Sequence, residues 1–176
     1  MSLRTIMIFP EFDNMDVIDR IRAKYDPLAE LVRPHITLVF PFESDISNKK
    51  LEEILETRLH GLKSFELVLG NISKQEDTFG NYLFLNVLNG ADELSIINRL
   101  FYDNEFKEYD LGLPYVPHMT IGKLSLVKEM DEAYEEIKDI QDKFSTVVKK
   151  ISVEMIGENE ESIIVIEKKL SEVTHD

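Results

Sequence analysis

Two six-residue segments, Arg33-Pro34-His35-Ile36-Thr37-Leu38 and Val116-Pro117-His118-Met119-Thr120-Ile121, are near copies of each other, with their histidines 83 positions apart in a chain of 176 residues. The same backbone rule acts on both. Proline lacks an N–H and disfavours helix at the residue before it, so each histidine falls near the start of a strand. Side chains alternate across a strand, which sends Ile36 and Leu38 to one face and His35 with Thr37 to the other. In the second copy Pro117, Met119 and Ile121 form the apolar side. His118 and Thr120 form the polar side, with Gly122 expected next along it, leaving room for a ligand. A spacing close to half the chain implies two similar lobes, each bringing one such strand to a shared central groove where two imidazoles face each other.

Imidazole titrates near neutral pH, so in one bound geometry a neutral histidine takes a proton while a protonated one gives it. Phosphodiester cleavage requires such a pair. One histidine activates water or a ribose hydroxyl against phosphorus, and the other protonates the leaving oxygen, with attacking and leaving oxygens in line. For hydrolysis His118 is assigned as base and His35 as acid, although the near symmetry of the motifs leaves this order open. Thr37 and Thr120 are placed to donate hydrogen bonds to non-bridging oxygens. No metal or other cofactor is demanded.

These four-residue signatures, His35-Ile36-Thr37-Leu38 and His118-Met119-Thr120-Ile121, resemble those of the 2H phosphoesterases, a family defined by two His-x-Thr/Ser-x motifs that includes bacterial 2′-5′ RNA ligases and cyclic phosphodiesterases. An opening strand ending in Pro10, a helix running to Lys24-Tyr25-Asp26-Pro27, and then Pro34-His35 resemble a compact bacterial branch of that family. The resemblance implies a bilobed α+β fold, a water-filled groove between antiparallel sheets, and phosphoester substrates that carry a ribose, 2′,3′-cyclic or 2′-5′ linked. It carries residue roles only to His35, Thr37, His118 and Thr120.

Other readings compete. A lone His-x-Thr on a strand is ordinarily a surface or satisfied core pair, and it is the matched second copy that shifts the weight to a shared site. A zinc site has two histidines but no nearby His-x₃-His or carboxylate set on the same faces. His60 falls in a helical pattern without the flanking proline and threonine, and the penultimate His175 reads as a frayed end. From a different class, the groove fits a non-catalytic module that senses nucleotides or RNA termini. A plain structural or interaction domain would make both motifs incidental.

Net charge of −14 opposes binding to long nucleic acid, which needs clustered Lys and Arg. The substrate is therefore a small nucleotide or one RNA end. Much of the acidity, as at Glu52-Glu53, Glu135-Glu136 and Glu158 to Glu161, reads as solvated surface. Arg33 and Lys123, beside the motifs, are candidate phosphate ligands, and Phe40, Phe42 and Tyr115 are candidates to stack a nucleobase at the groove rim. With no cysteine, thiolate chemistry and Cys-ligated metals are excluded. The N-terminus lacks the length and cleavage site of a signal peptide and no stretch reaches transmembrane length, so a cytoplasmic location is expected and no membrane partner. Oligomeric state is silent.

The periodicities predict a strand over 4–9, a helix from about Asp13, as cap, to Tyr25, the first motif strand to Phe40, and a helix over roughly 48–62. Apolar runs at 65–72 and 82–87 suggest a hairpin with a long loop, followed by a helix at 91–104 and the second motif strand. A charged helix at 128–143 precedes strands near 145–156 and 162–169. This order is α+β, two pseudo-symmetric lobes of antiparallel sheet with outer helices, without doubly wound alternation. Residues 1–176 form a single bilobed domain, with a topological boundary near 75–90 and no flexible linker.

Overall fold

The computed structural model describes residues 1–173, so His175 lies outside the described residues. The chain runs β1 (Ser2–Ile8), α1 (Met15–Tyr25), β2 (Ile36–Ser44), α2 (Asn48–Leu59), β3 (Phe65–Asp77), β4 (Gly80–Asn89) and α3 (Ala91–Tyr102). A 3-10 turn at Lys107–Tyr109 leads to β5 (His118–Leu124), α4 (Val127–Ile137), β6 (Phe144–Val148), β7 (Lys150–Ile156) and β8 (Ser162–Lys169). All eight strands join one antiparallel sheet in the order β6-β3-β4-β5-β2-β1-β7-β8.

That sheet consists of two four-stranded halves. Helices α2 and α3 pack on β8 and β2 in one half, and α1 and α4 pack on β5, β4 and β3 in the other. The first half draws on β1 and on the late strands β7 and β8, because β7 pairs with β1 and β8 with β7; residues 75–89 fall within the β3–β4 hairpin of the second, and Gly90 begins α3. The halves meet between β2 and β5, where Ile36 opposite Met119 is the one paired position. Beyond it β2 turns to side chains for its hydrogen bonds. Tyr115 Oη donates to the Thr37 carbonyl (2.8 Å), Asn98 Nδ2 to the Leu38 carbonyl (2.8 Å), and the Phe40 N–H donates to Tyr102 Oη (3.0 Å). An open strand edge would otherwise leave these groups unpaired, so α3 and the segment before β5 let the halves diverge without that cost.

The apolar positions of the motif strands anchor them: Ile36, Leu38, Met119 and Ile121 are all at most 1% exposed and join one core. Helix α2 buries Leu51, Ile54, Leu55 and Leu59 at helical spacing, and its Ser47 cap accepts from the Lys50 N–H. Gly90 starts α3 at φ +100°, where an added Cβ would come within 2.8 Å of the Glu66 carbonyl.

Several expectations are corrected. The β3–β4 connection is a tight turn at Thr78-Phe79, because the strands extend through polar residues to Asp77 and from Gly80. Helix α1 starts at Met15, and the preceding Asn14 side chain bonds the Lys143 carbonyl instead of acting as a cap. The apolar run near 145–156 is two strands: β6 pairs with β3 at one edge of the sheet, and after Lys149 the chain crosses to pair β7 with β1 in the other half. Helix α4 ends at Ile137, short of the expected 143.

Candidate functional site

Because β2 and β5 are antiparallel, pairing at Ile36 and Met119 sets His35 in register with Thr120 and Thr37 in register with His118. With Ile36 and Met119 in the core, alternation turns those four polar side chains to the opposite face, where all four are partly buried. The two copies of the motif are therefore related by a local twofold about the seam.

Each imidazole is held the same way. His35 Nδ1 lies 2.9 Å from the Arg33 carbonyl, and His118 Nδ1 lies 2.8 Å from the Val116 carbonyl, two residues upstream in both cases. A carbonyl only accepts, so Nδ1 carries the hydrogen in both rings. Nε2 is then the nitrogen that carries the lone pair. Burial pushes both imidazoles below their ordinary value of 6.5, against the opposing pull of the carbonyl bonds.

The surroundings differ between the copies. Phe84 of β4, opposite Thr120, stacks on His118 with centroids 3.7 Å apart and planes at 21°, and Tyr82 stacks on Phe84 at 5.7 Å. His35 has the Phe9 ring tilted at 6.2 Å. The segment leading from α1 to His35 is fastened by a buried ion pair: Arg22 Nε donates to Asp26 Oδ2 (3.0 Å), and Arg22 Nη2 to the Val32 carbonyl (2.8 Å). After burial and the Arg33 carbonyl, Arg22 is the next influence on His35, lowering its pKa further, while Asp26 and His118 act more weakly. The matching segment before β5 begins with an exposed pair, Arg99 with Asp103, at the same four-residue spacing and in the same last helical turn.

Of the flanking candidates, Arg33 lies with its guanidinium 4.5 Å from the Phe9 ring and 3.9 Å from Glu11, and Lys123 lies 5.6 Å from the Tyr82 ring. Tyr115 is half-buried and supports the backbone of Thr37; burial raises its phenol well above the ordinary value, so it acts there as a donor. Phe40 is 42% exposed on β2. Phe42 is not at the rim. It is 2% exposed and packs on Phe106 (4.9 Å) and Tyr109 (5.3 Å), because it shares the parity of Ile36 and Leu38 and the two register shifts of β2, between Thr37 and Val39 and between Val39 and Phe42, cancel before it.

Gly122 is also corrected. A bulge between Leu83 and Phe84 pairing turns Gly122 under α1, where an added Cβ would meet Leu83 at 3.0 Å and Tyr25 at 3.1 Å. The small residue admits a helix there rather than a ligand, and Lys123 takes the next position on the groove face, opposite Tyr82. His60 is exposed just past the end of α2. Among the described residues no three His, Asp or Glu side chains converge as a metal site requires. Neither Phe84 nor the Arg22–Asp26 pair belongs to the motifs: the Phe84 contact depends on β4–β5 register, whereas the four-residue spacing at the end of α1 does signal the pair.

A family model described as the 2′-5′ RNA ligase superfamily matches residues 9–158. A Bacillus mycoides (strain KBAB4) protein named "Putative phosphoesterase" is 34% identical over 121 residues, 67% of each chain. Among solved structures, E. coli LigT complexed with 3′-AMP superimposes with a TM-score of 0.65 at 14% identity, over 96% of this chain and 98% of that one. The TT0787 protein of Thermus thermophilus gives 0.67 at 9% identity, over 96% and 97%. These structural likenesses concern the fold.

Proposed function

This chain belongs to the 2′-5′ RNA ligase superfamily, and we propose that within it the chain is a phosphoesterase of small ribose phosphates, 2′,3′-cyclic or 2′-5′ linked, working by two-histidine acid–base catalysis as one bilobed domain without a metal. The observation that carries this reading is the matched tethering of His35 and His118. Each has Nδ1 spent on a carbonyl and Nε2 left to move a proton.

In this mechanism the phosphate lies across the seam and its non-bridging oxygens accept from the Thr37 and Thr120 hydroxyls, which offset the growing negative charge. One neutral histidine takes the proton of the attacking water or hydroxyl, and the other, protonated, delivers one to the departing ribose oxygen. Their surroundings favour the reverse of the order assigned from the sequence. The face of Phe84 favours an imidazolium at His118, and the Arg22 charge disfavours one at His35, so His35 is the base and His118 the acid in hydrolysis. Run backwards the same groups exchange roles and join ends. That LigT is solved with 3′-AMP supports a nucleotide-sized ligand for the groove.

The test is turnover of nucleoside 2′,3′-cyclic phosphates, ADP-ribose 1″,2″-cyclic phosphate and 2′-5′ dinucleotides in EDTA, with His35→Ala and His118→Ala alongside. Cleavage that survives EDTA and falls by about 10²–10⁴ in each variant is expected. Saturable binding without product would instead make the groove a sensor. A nucleoside 3′-(4-nitrophenyl phosphate), whose leaving group needs no proton, restores His118→Ala but not His35→Ala if the roles are as stated.

A further inference from the structure

A cleft of about 340 Å³ opens beside the first motif, between the end of β1, the N-terminal half of α1 and Arg33-Pro34. Nothing in the mechanism uses it. Its apolar walls are Phe9, Phe12 and Met15, and its polar groups are Glu11, Asp19 and Arg33. Met15 and Asp19 stand one helical turn apart on α1, so both face the same space. One ring stands between the cleft and the first histidine: Phe9, which lines the cleft, lies 6.2 Å from the His35 imidazole, and the Arg33 guanidinium lies 4.5 Å from Phe9. Arg33 also supplies the carbonyl that holds His35 Nδ1.

We propose that this cleft is the base-recognition pocket of the substrate whose phosphate lies at the histidines, and that the base it takes is guanine; the inference rests on the function proposed above and names its substrate. The size and apolar walls suit a flat aromatic ring, which gains from stacking and from area removed from water. The polar groups then choose among the bases. Arg33 offers a fork of N–H donors, and Glu11 and Asp19 offer acceptors only. Guanine presents the matching set, O6 and N7 as an acceptor pair for a guanidinium and N1–H with the N2 amine as an adjacent donor pair for a carboxylate. Adenine and cytosine present one amine donor beside an acceptor nitrogen that a carboxylate repels, and uracil presents one N–H between two carbonyls.

The side chains are available for this. Asp19 has no hydrogen-bond or ionic partner among the described residues, and Glu11 has only Arg33, at 3.9 Å. A guanine arriving between them replaces one long, exposed ion pair by shorter bonds to each partner. The site's acidity also repels a phosphate from the cleft itself, which leaves the anionic end of the nucleotide at the histidines and threonines.

Met15 provides the readout. With ¹³C-methyl methionine in the full chain, guanosine 3′-monophosphate is titrated against the inosine and uridine 3′-monophosphates while the Met15 methyl and the histidine ring resonances are followed. Saturable movement of Met15 by the guanosine compound, with binding weaker by about tenfold or more for inosine, which lacks only the N2 amine, is the expected result. Glu11→Gln with Asp19→Asn, both at the surface, removes that difference and raises KM for guanosine 2′,3′-cyclic phosphate with little change in kcat. Nucleotides that move the histidine resonances with equal affinity and leave Met15 still would overturn the pocket and leave the phosphoesterase reading standing. No nucleotide binding at millimolar concentration would overturn the pocket as well, and the turnover panel then decides the phosphoesterase reading separately.

Discussion

Ile36 and Met119 face each other across the seam between β2 and β5, and this single antiparallel pair is where the two halves of the sheet hydrogen-bond. Both side chains are buried, at 1% and 0% exposure. The residue before each is a histidine of the candidate site, so the packing of this pair sets how the two imidazoles stand relative to one another.

Met119→Ala is therefore expected to cost about 2–5 kcal/mol, the range for truncating a buried methionine, and to lower turnover beyond what the unfolded fraction explains. Met119→Leu, which conserves volume, costs less than about 1.5 kcal/mol and retains activity. Urea unfolding of the three proteins decides it, and a cost below about 1 kcal/mol for the alanine variant would mean that the seam is held elsewhere.

Phe84 supports His118 through its aromatic face, at a centroid separation of 3.7 Å. Phe84→Leu keeps the site apolar but removes the face that favours the imidazolium. The pKa of His118 is then expected to fall further, by an amount consistent with the loss of about 0.5–2 kcal/mol of cation–π stabilisation, while that of His35 stays in place. Titration of the histidine ring resonances reads both sites in one experiment; an unchanged His118 would show that the stack is packing alone.

Much of this architecture is legible in the chain. Pro34-His35 and Pro117-His118 mark strand starts, and alternation puts Ile36 and Met119 inside and the histidines and threonines together on the other face. What escapes the sequence comes from pairing between distant strands. The Leu83/Phe84 bulge turns Gly122 from the groove to the underside of α1, and the paired register shifts of β2 turn Phe40 outward although it shares the parity of Ile36 and Leu38. Neither leaves a local signature, since period 2 reads straight through a bulge. The break at Lys149 is hidden for the same reason: β6 and β7 have equally strand-like residues, and only their partners, β3 and β1, separate them. Arg22 and Asp26, by contrast, were spaced to be found.

Those two residues predict an asymmetry between the halves. The Arg22–Asp26 pair is 3% and 6% exposed, whereas Arg99–Asp103, its counterpart before the second motif, is 49% and 61% exposed. Asp26→Asn strands a buried guanidinium and is expected to cost about 3–5 kcal/mol. Asp103→Asn changes stability by less than about 1 kcal/mol. Arg22→Met, by removing a positive charge close to His35, raises the His35 pKa and leaves that of His118 unmoved. Similar costs for the two aspartate variants would refute the distinction.

Stability should depend on pH in two opposing ways. His35 and His118 have folded pKa values below 6.5, so between those values and 6.5 the unfolded chain binds more protons and stability rises with pH. Their contribution is complete above 6.5 and is lost as pH falls through the folded values. Glu154 runs the other way. Burial raises its carboxyl above 4.5, against a smaller lowering by the Ser162 hydroxyl that bonds it, so the folded chain holds the proton longer and stability declines as pH rises above 4.5. The wild-type profile between about pH 4.5 and 6.5 is thus a partial cancellation, which variants separate. Glu154→Gln removes the declining part and steepens the rise, whereas His35→Asn with His118→Asn, whose amides still reach the Arg33 and Val116 carbonyls, removes the rising part and leaves the decline. Urea midpoints across this range test both signs at once, and a pair of variants with unchanged slopes would mean that none of the three groups carries the linkage.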